Sequence, residues 1–480
     1  VTVIPAASSG SPTPQRRRVR GERSGRRPPV WRRRWVAALA LLTVLAIAVW
    51  QVVVHLVLPP APPPLYNAGV TVTADGRPLM VPAGADAAFV PGTSLLADPA
   101  AAGLPDAAAP TPEAVAESRA WLAAGRIPGD DEQERETATR ALLDLRVLTL
   151  DNGAFVASWN DRWRYVWPRD ASFAVAAYAV TGHHAEARAI LSHLAAIHPA
   201  DGRWQARYLP DGTGGVPDDR RPQLDGSGWT PWAVWFWYTT EPDRELAART
   251  LDELWPMVAA SAEAAAASLD LRGLPPASSD YWEREEDEVT LGTVAPLLLG
   301  LRSAAALAAD GGRAPEQAAA WGDAARRLDE ATTATFGAAG YPRTVPDGGT
   351  DTAVTLLAPP FAPGSVAVAA AVADAERAQA LSNGGMYPGE EWPLDNGMAW
   401  TPEVALFALN AAATGDDARA DRHLRWLMEH RTALGSLPEN VNPDGSPSST
   451  SPLGWTAATV LLALTAQQQE LPTPPLPPAG

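Results

Sequence analysis

The 480-residue chain contains no cysteine, which excludes disulfides and thiolate metal sites, and no lysine, so all 38 basic residues are arginines. With 46% hydrophobic residues it can bury a sizeable core. The formal charge of −17 conceals an asymmetry: residues 1–35 hold ten arginines and one glutamate, a local +9, so the remainder carries −26. A body that acidic repels phosphates, which excludes nucleic acid as its partner.

Residues 1–35 read as a basic cytoplasmic tail. Residues 36–58, VAALALLTVLAIAVWQVVVHLVL, follow with no formal charge over 23 positions. A helix of this length, rising about 1.5 Å per residue, crosses a hydrocarbon core of roughly 30 Å. Trp35 and Trp50 suit the two interfaces, and the arginines before the span keep the N-terminus cytoplasmic. The expectation is a single-pass protein of the cell membrane with its acidic body outside. A cleaved signal peptide is the alternative, against which stand the length of the apolar run and the lack of a convincing A-x-A site.

Residues 59–112 are rich in Ala, Pro and Gly and read as linker. PPAPPPL at 59–65 predicts a stiff polyproline-type spacer. VTVTADGRPLMV, with Asp75-Gly76 as a turn, predicts one short β element.

From 113 to 470 the pattern is helical, with Thr-Pro start signals at 111–112 and 401–402. Apolar helices begin near 170, 229, 290, 352, 400 and 455, and most continue through a turn into an amphipathic helix. Six such units, spaced by roughly 55–60 residues, imply an open solenoid or a closed ring of about twelve helices. Helices apolar all round favour the ring, with those helices inside and their amphipathic partners outside. Residues 471–480 form a Pro-rich tail.

The polar and aromatic landmarks precede the inner helices: WRYVWPRD at 163–170, RPQLDGSGW at 221–229, DYWEREED at 280–287, EEWPLDNGMAW at 390–400 and LPENVNPDGSP at 437–447. In a ring of helical hairpins these loops meet at one end. That end collects tryptophans, carboxylates, arginines and the amides of Gln223 and Asn440. Flat aromatic faces beside hydrogen-bonding groups suit a carbohydrate, although tryptophan at a helix start also serves as core packing. Hydrolysis of a glycosidic bond with inversion needs an acid and a base roughly 6.5–9.5 Å apart. Glu283, between Trp282 and Arg284 and followed by acidic residues, is the acid candidate, since an aromatic neighbour and like charges raise a carboxyl pKa. Glu439, alone in a polar loop, is the base candidate. Membership of a solvated charge run and a place in a surface loop are the respective alternatives.

These landmarks, in this order, resemble glycoside hydrolase family 15, the glucoamylase-like enzymes, over roughly residues 130–468. The resemblance implies an all-α (α/α)6 barrel. It further implies Glu283 as general acid, Glu439 as general base, and substrate contacts from Trp167, Arg169, Asp170, Gln223, Asp225 and Trp455; Trp282 and Arg284, which flank the acid, are further substrate-contact candidates. Asn440 stands where the family has glutamine, and Trp455-Thr456-Ala457 replaces its Trp-Ser-Tyr or Trp-Ser-His pattern. The expected activity is inverting, exo-acting release of glucose from α-glucans or oligosaccharides. A trehalase and a catalytically weak surface carbohydrate binder are the alternatives. No metal site or cofactor motif stands out.

Overall fold

The computed structural model describes residues 30–57 and 61–476, which belong to two units that divide after Pro60. In the first, α1 (Val30–Val57) is one helix that takes in the apolar run except for Leu58. It exposes Trp35, Leu39, Leu42, Leu45 and Trp50. Most of the basic tail, the prolines at 59 and 60, and the end of the C-terminal tail lie outside the described residues.

The second unit is a closed ring of helical hairpins. α2 (Pro112–Ala124) precedes α3 (Glu132–Leu148), whose start is fixed by a capping box between Asp131 and Glu134. Four hairpins then pair an inner helix with an outer one: α4 (Pro168–Val180) with α5 (His184–Ile197), α6 (Gly226–Thr240) with α7 (Arg244–Ser268), α8 (Leu291–Ala309) with α9 (Pro315–Thr335), and α11 (Thr401–Ala413) with α12 (Asp417–Glu429). Between the third and fourth of these pairs lies α10 (Val366–Gln379), and α13 (Gly454–Gln468) comes last. Inner helices are buried on all sides: every residue of α6 from Gly226 to Tyr238 is buried. Outer helices bury a stripe, as Ala187, Ile190, Leu191, Leu194 and Ile197 do on α5.

Two features depart from a simple sixfold repeat. The unit expected at 352–381 has no inner α-helix. Its inner element is a 3-10 helix, Thr352–Leu357, followed by Pro359, Pro360 and Pro363 before the outer α10. Proline lacks the amide a helix interior needs, so the apolar segment stops after six residues. The sixth inner element, α13, is followed by no outer helix among the described residues; α3, from the start of the ring, packs against it. Inner neighbours run α4, α6, α8, the 3-10 helix, α11, α13 and back to α4.

The helical stretch Leu291–Gly312 is long and apolar enough to cross a membrane by length and hydropathy, and 94% of its apolar 18-residue window is buried inside the ring. It is core. Segment 61–112, expected as linker, is folded as part of the second unit. β1 (Asn67–Val72) pairs antiparallel with β2 (Pro78–Pro82), and Gly76, at a φ of 81°, makes the turn expected there. The hairpin shares a small core with Leu96 and with Leu434, which lies beyond α12.

α6 and α8 touch backbone to backbone. A Cβ on Gly300 would collide with the backbone of Gly228, and one on Gly228 would collide with the carbonyl of Pro296. Neither neighbour can yield without separating two buried helices. Gly300→Ala is therefore expected to cost about 3 kcal/mol, read as a lower urea midpoint with an unchanged slope; an unchanged midpoint contradicts this contact.

Candidate active site

The loops entering the inner helices meet around a cavity of about 210 Å³. Pro168 starts α4 at its first turn, which sets Arg169 and Asp170 at the helix mouth. They form an ion pair of 3.1 Å, with the Arg169 guanidinium 4.5 Å from the Trp455 ring centre. Trp167, Arg169, Asp170, Trp282, Glu283, Glu439 and Trp455 all line the cavity. These sequence candidates therefore converge.

Glu283 is presented by a tightly anchored turn. Its amide donates to the Asp280 carbonyl at 2.8 Å, and its φ of 56° is a left-handed conformation that a side-chain-bearing residue seldom adopts. Asp280 accepts from the Trp282 amide at 2.9 Å and from the Thr290 hydroxyl at 2.7 Å. Arg343 locks the base of the turn. It is buried, pairs with Asp280 at 2.8 Å, Glu286 at 2.8 Å and Asp351 at 3.1 Å, and lies 3.7 Å from the Trp282 ring centre. Glu286 faces Arg343, while Glu285, Asp287 and Glu288 are exposed. Two guanidiniums approach Glu283 instead, Arg220 at 2.7 Å and Arg169 at 3.3 Å.

Glu439 sits where β3 (Ala399–Trp400), β4 (Asn440–Val441) and β5 (Pro447–Ser448) join the mouth of α11 to the loop before α13. The Trp163 indole donates to it at 3.0 Å, and the Ser449 hydroxyl donates to its other oxygen. It is half-buried and lines the cavity, and loss of water there pushes its carboxyl above the ordinary value against the pull of these two bonds. The polar loop expected from the sequence thus presents Glu439 half-buried at the cavity.

The supposed spacer braces this base. The Tyr66 amide donates to the Ser449 carbonyl at 2.9 Å, and the Ser449 amide donates to the Pro64 carbonyl at 3.2 Å. Buried Asn67 accepts from the Ser451 amide at 3.2 Å and from the Thr450 hydroxyl at 3.4 Å. The Tyr66 ring lies 6.1 Å from that of Trp163.

Gln223 and Asp225 are buried behind the cavity and do not line it. The Gln223 amide and the Trp229 indole donate to Asp225 at 3.1 and 3.3 Å. Burial raises Asp225 to about 7 against the attraction of Arg169. Arg284 is exposed and lies outside the cavity lining. Sequence reasoning passed over Trp163, Arg220, Tyr281, Arg343 and Glu403. Trp163 and Tyr281 stand inside the quoted motifs, whereas Glu403 reads as an ordinary first-turn acid after Thr-Pro. Trp282, Trp392 and Trp400 form a wall of edge-to-face rings at 5.0 and 5.1 Å. The indole N–H groups of Trp167, Trp282, Trp392, Trp400 and Trp455 find no acceptor among the described residues. Such a cavity offers flat aromatic faces beside carboxylates and a guanidinium, which suits a polyhydroxylated ring. No group of three histidine, aspartate or glutamate side chains among the described residues is arranged to hold a metal.

The buried acids link stability to pH. Asp225 rises from 3.8 to about 7, so the folded protein keeps a proton that the unfolded chain releases. The stabilisation is complete below about pH 4 and is lost as pH rises through about 7. Melting temperature should fall between about pH 4 and 7, and Asp225→Asn should reduce that fall. Parallel wild-type and variant curves would remove Asp225 from the linkage.

Neither a family model nor a curated protein matches the sequence. Solved structures do match in shape. A glycosidase variant in complex with glucose has a TM-score of 0.61 at 21% identity, over 71% of this chain and 99% of that one. A bacterial glucoamylase complexed with acarbose gives 0.57 at 16%, over 74% of this chain and 59% of its own. The glucoamylase from Saccharomycopsis fibuligera gives 0.56 at 13%, over 72% and 97%. The chain has the (α/α)6 barrel fold that these glycosidases share.

Proposed function

We propose that this protein is a glycoside hydrolase that releases glucose from the ends of α-gluco-oligosaccharides or α-glucans with inversion. The observation that carries this reading is the meeting of Glu283 and Glu439, from different loops, in one tryptophan-walled cavity at the mouth of the ring. Glu283, protonated, gives its proton to the glycosidic oxygen as the bond to the anomeric carbon breaks. Glu439, ionised, takes a proton from the water that attacks the opposite face. Burial makes Glu439 the stronger base, and the Trp163 and Ser449 donors steady its charge. Arg169 and Asp170 lie beside both groups in position to hold sugar hydroxyls.

A second reading draws on a specific contact. Arg220 pairs with one oxygen of Glu283 at 2.7 Å and Arg169 with the other at 3.3 Å, so guanidiniums engage both oxygens of the proposed proton donor. If that pair persists with substrate bound, the protein is a carbohydrate binder with little turnover.

α1 serves in this proposal as a membrane anchor, with the ring outside the cell. The exposed apolar side chains of α1 and the arginine block before it support that placement. Full-length protein should stay with the membrane fraction in high salt and alkaline carbonate and leave it in detergent; release by carbonate alone would refute the anchor.

The catalytic test uses the detergent-solubilised full chain with maltose, longer maltooligosaccharides, isomaltose and trehalose, following the released anomer by NMR. β-Glucose should appear first, and Glu283→Gln or Glu439→Gln should each slow release by about 10³-fold. α-Glucose as first product would reject inversion, and binding without release would establish the second reading. Preference for trehalose would redefine the substrate.

A further inference from the structure

One carboxyl in the cavity has no part in the acid–base pair. Glu403 is the third residue of α11, lines the cavity and is 2% exposed. Its Oε2 has no hydrogen-bond donor among the described residues, which is unusual for a buried carboxyl. The charged and titratable groups facing it are Arg169 from α4, Asp351 before the 3-10 helix, Glu439 from the base loop and Tyr281 from the acid loop. Arg169 is the one cation in that set, and its guanidinium already pairs with Asp170 and Glu283. Burial, reinforced by Asp351 and Glu439, raises Glu403 to about 8 despite help from its own backbone amide.

A carboxylate here would stand beside other acids with no counter-charge of its own. A neutral carboxylic acid instead carries an O–H donor, and a sugar hydroxyl can accept from it. We propose that Glu403 acts as a neutral acid that donates a hydrogen bond to a hydroxyl of the sugar held in the cavity, fixing that sugar relative to Glu439. This rests on the reading of the cavity as a sugar site. Glu403 is thereby a third functional carboxyl, distinct from the proton donor and the base, and its ionisation sets an alkaline limit on sugar binding.

The test is glucose binding by calorimetry to the detergent-solubilised full chain, between about pH 6 and 9, for the wild type, Glu403→Gln and Glu403→Leu. Wild-type affinity should drop roughly fivefold or more from about pH 7 to 9, and Glu403→Leu should bind about tenfold more weakly at pH 7. Glu403→Gln cannot titrate and its amide still donates, so it should bind more tightly than Glu403→Leu and show a flattened alkaline decline. The proposal is overturned if Glu403→Gln loses affinity with pH as the wild type does, or if Glu403→Leu matches the wild type. Failure of the wild type to bind glucose at any pH removes the sugar site and this inference together. Binding without hydrolysis removes the hydrolase reading alone and leaves Glu403 in place.

Discussion

An apolar helix with no polar face must be covered on every side, and that requirement organises the second unit. α4, α6, α8, α11 and α13 meet it by flanking one another in a ring and taking outer helices on their backs. Closing the ring brings the N-terminal ends of the inner helices to one rim. Loops as far apart in sequence as 163–170 and 437–451 then share a cavity. The same burial shapes the chemistry, because carboxyls at that rim lose water and are held near or above neutrality.

Two buried arginines pair with other acids around the site, and they do different work. Arg343 is surrounded by Asp280, Asp351 and Glu286 and holds the turn that presents Glu283. Arg169 stands in the cavity wall between Asp170 and Glu283 and over Trp455. In a chain without lysine, every such cation is a planar fork that can engage two or three carboxylates while stacking on a ring. The left-handed backbone at Glu283 is tolerable because the Arg343 cluster and Thr290 fix the residues around it.

Helical periodicity made the ring legible, and the landmark loops gave most of its mouth. Trp167, Arg169, Asp170, Trp282, Glu283, Glu439 and Trp455 meet as their positions before inner helices imply. Adjacency in sequence misled for Arg284, since its neighbour Glu283 turns inward at a positive φ while Arg284 faces solvent. Gln223 and Asp225 belong to the site's backing, a distinction of depth that a linear motif does not encode. The 3-10 helix was hidden because Ala, Val and Leu suit either helix type, and the prolines that shorten it lie just beyond. Composition alone made residues 61–69 look like spacer; their partners in 448–451 are nearly 400 positions away and leave no local trace. Glu403 was masked by its place in a capping signal, where an acid is expected for helix reasons alone.

The brace between residues 64–67 and 449–451 joins nearly the first and the last parts of the folded unit. Its order of synthesis has a consequence. The N-terminal half of the brace leaves the ribosome early and waits for almost the whole ring before its partner exists, and α3 waits in the same way for α13. Contacts of such long sequence separation form late. Until then the inner helices emerge with faces that no neighbour yet covers, a state prone to association. Glu439 is therefore among the last groups of the site to take its place, and an incomplete chain has no organised base.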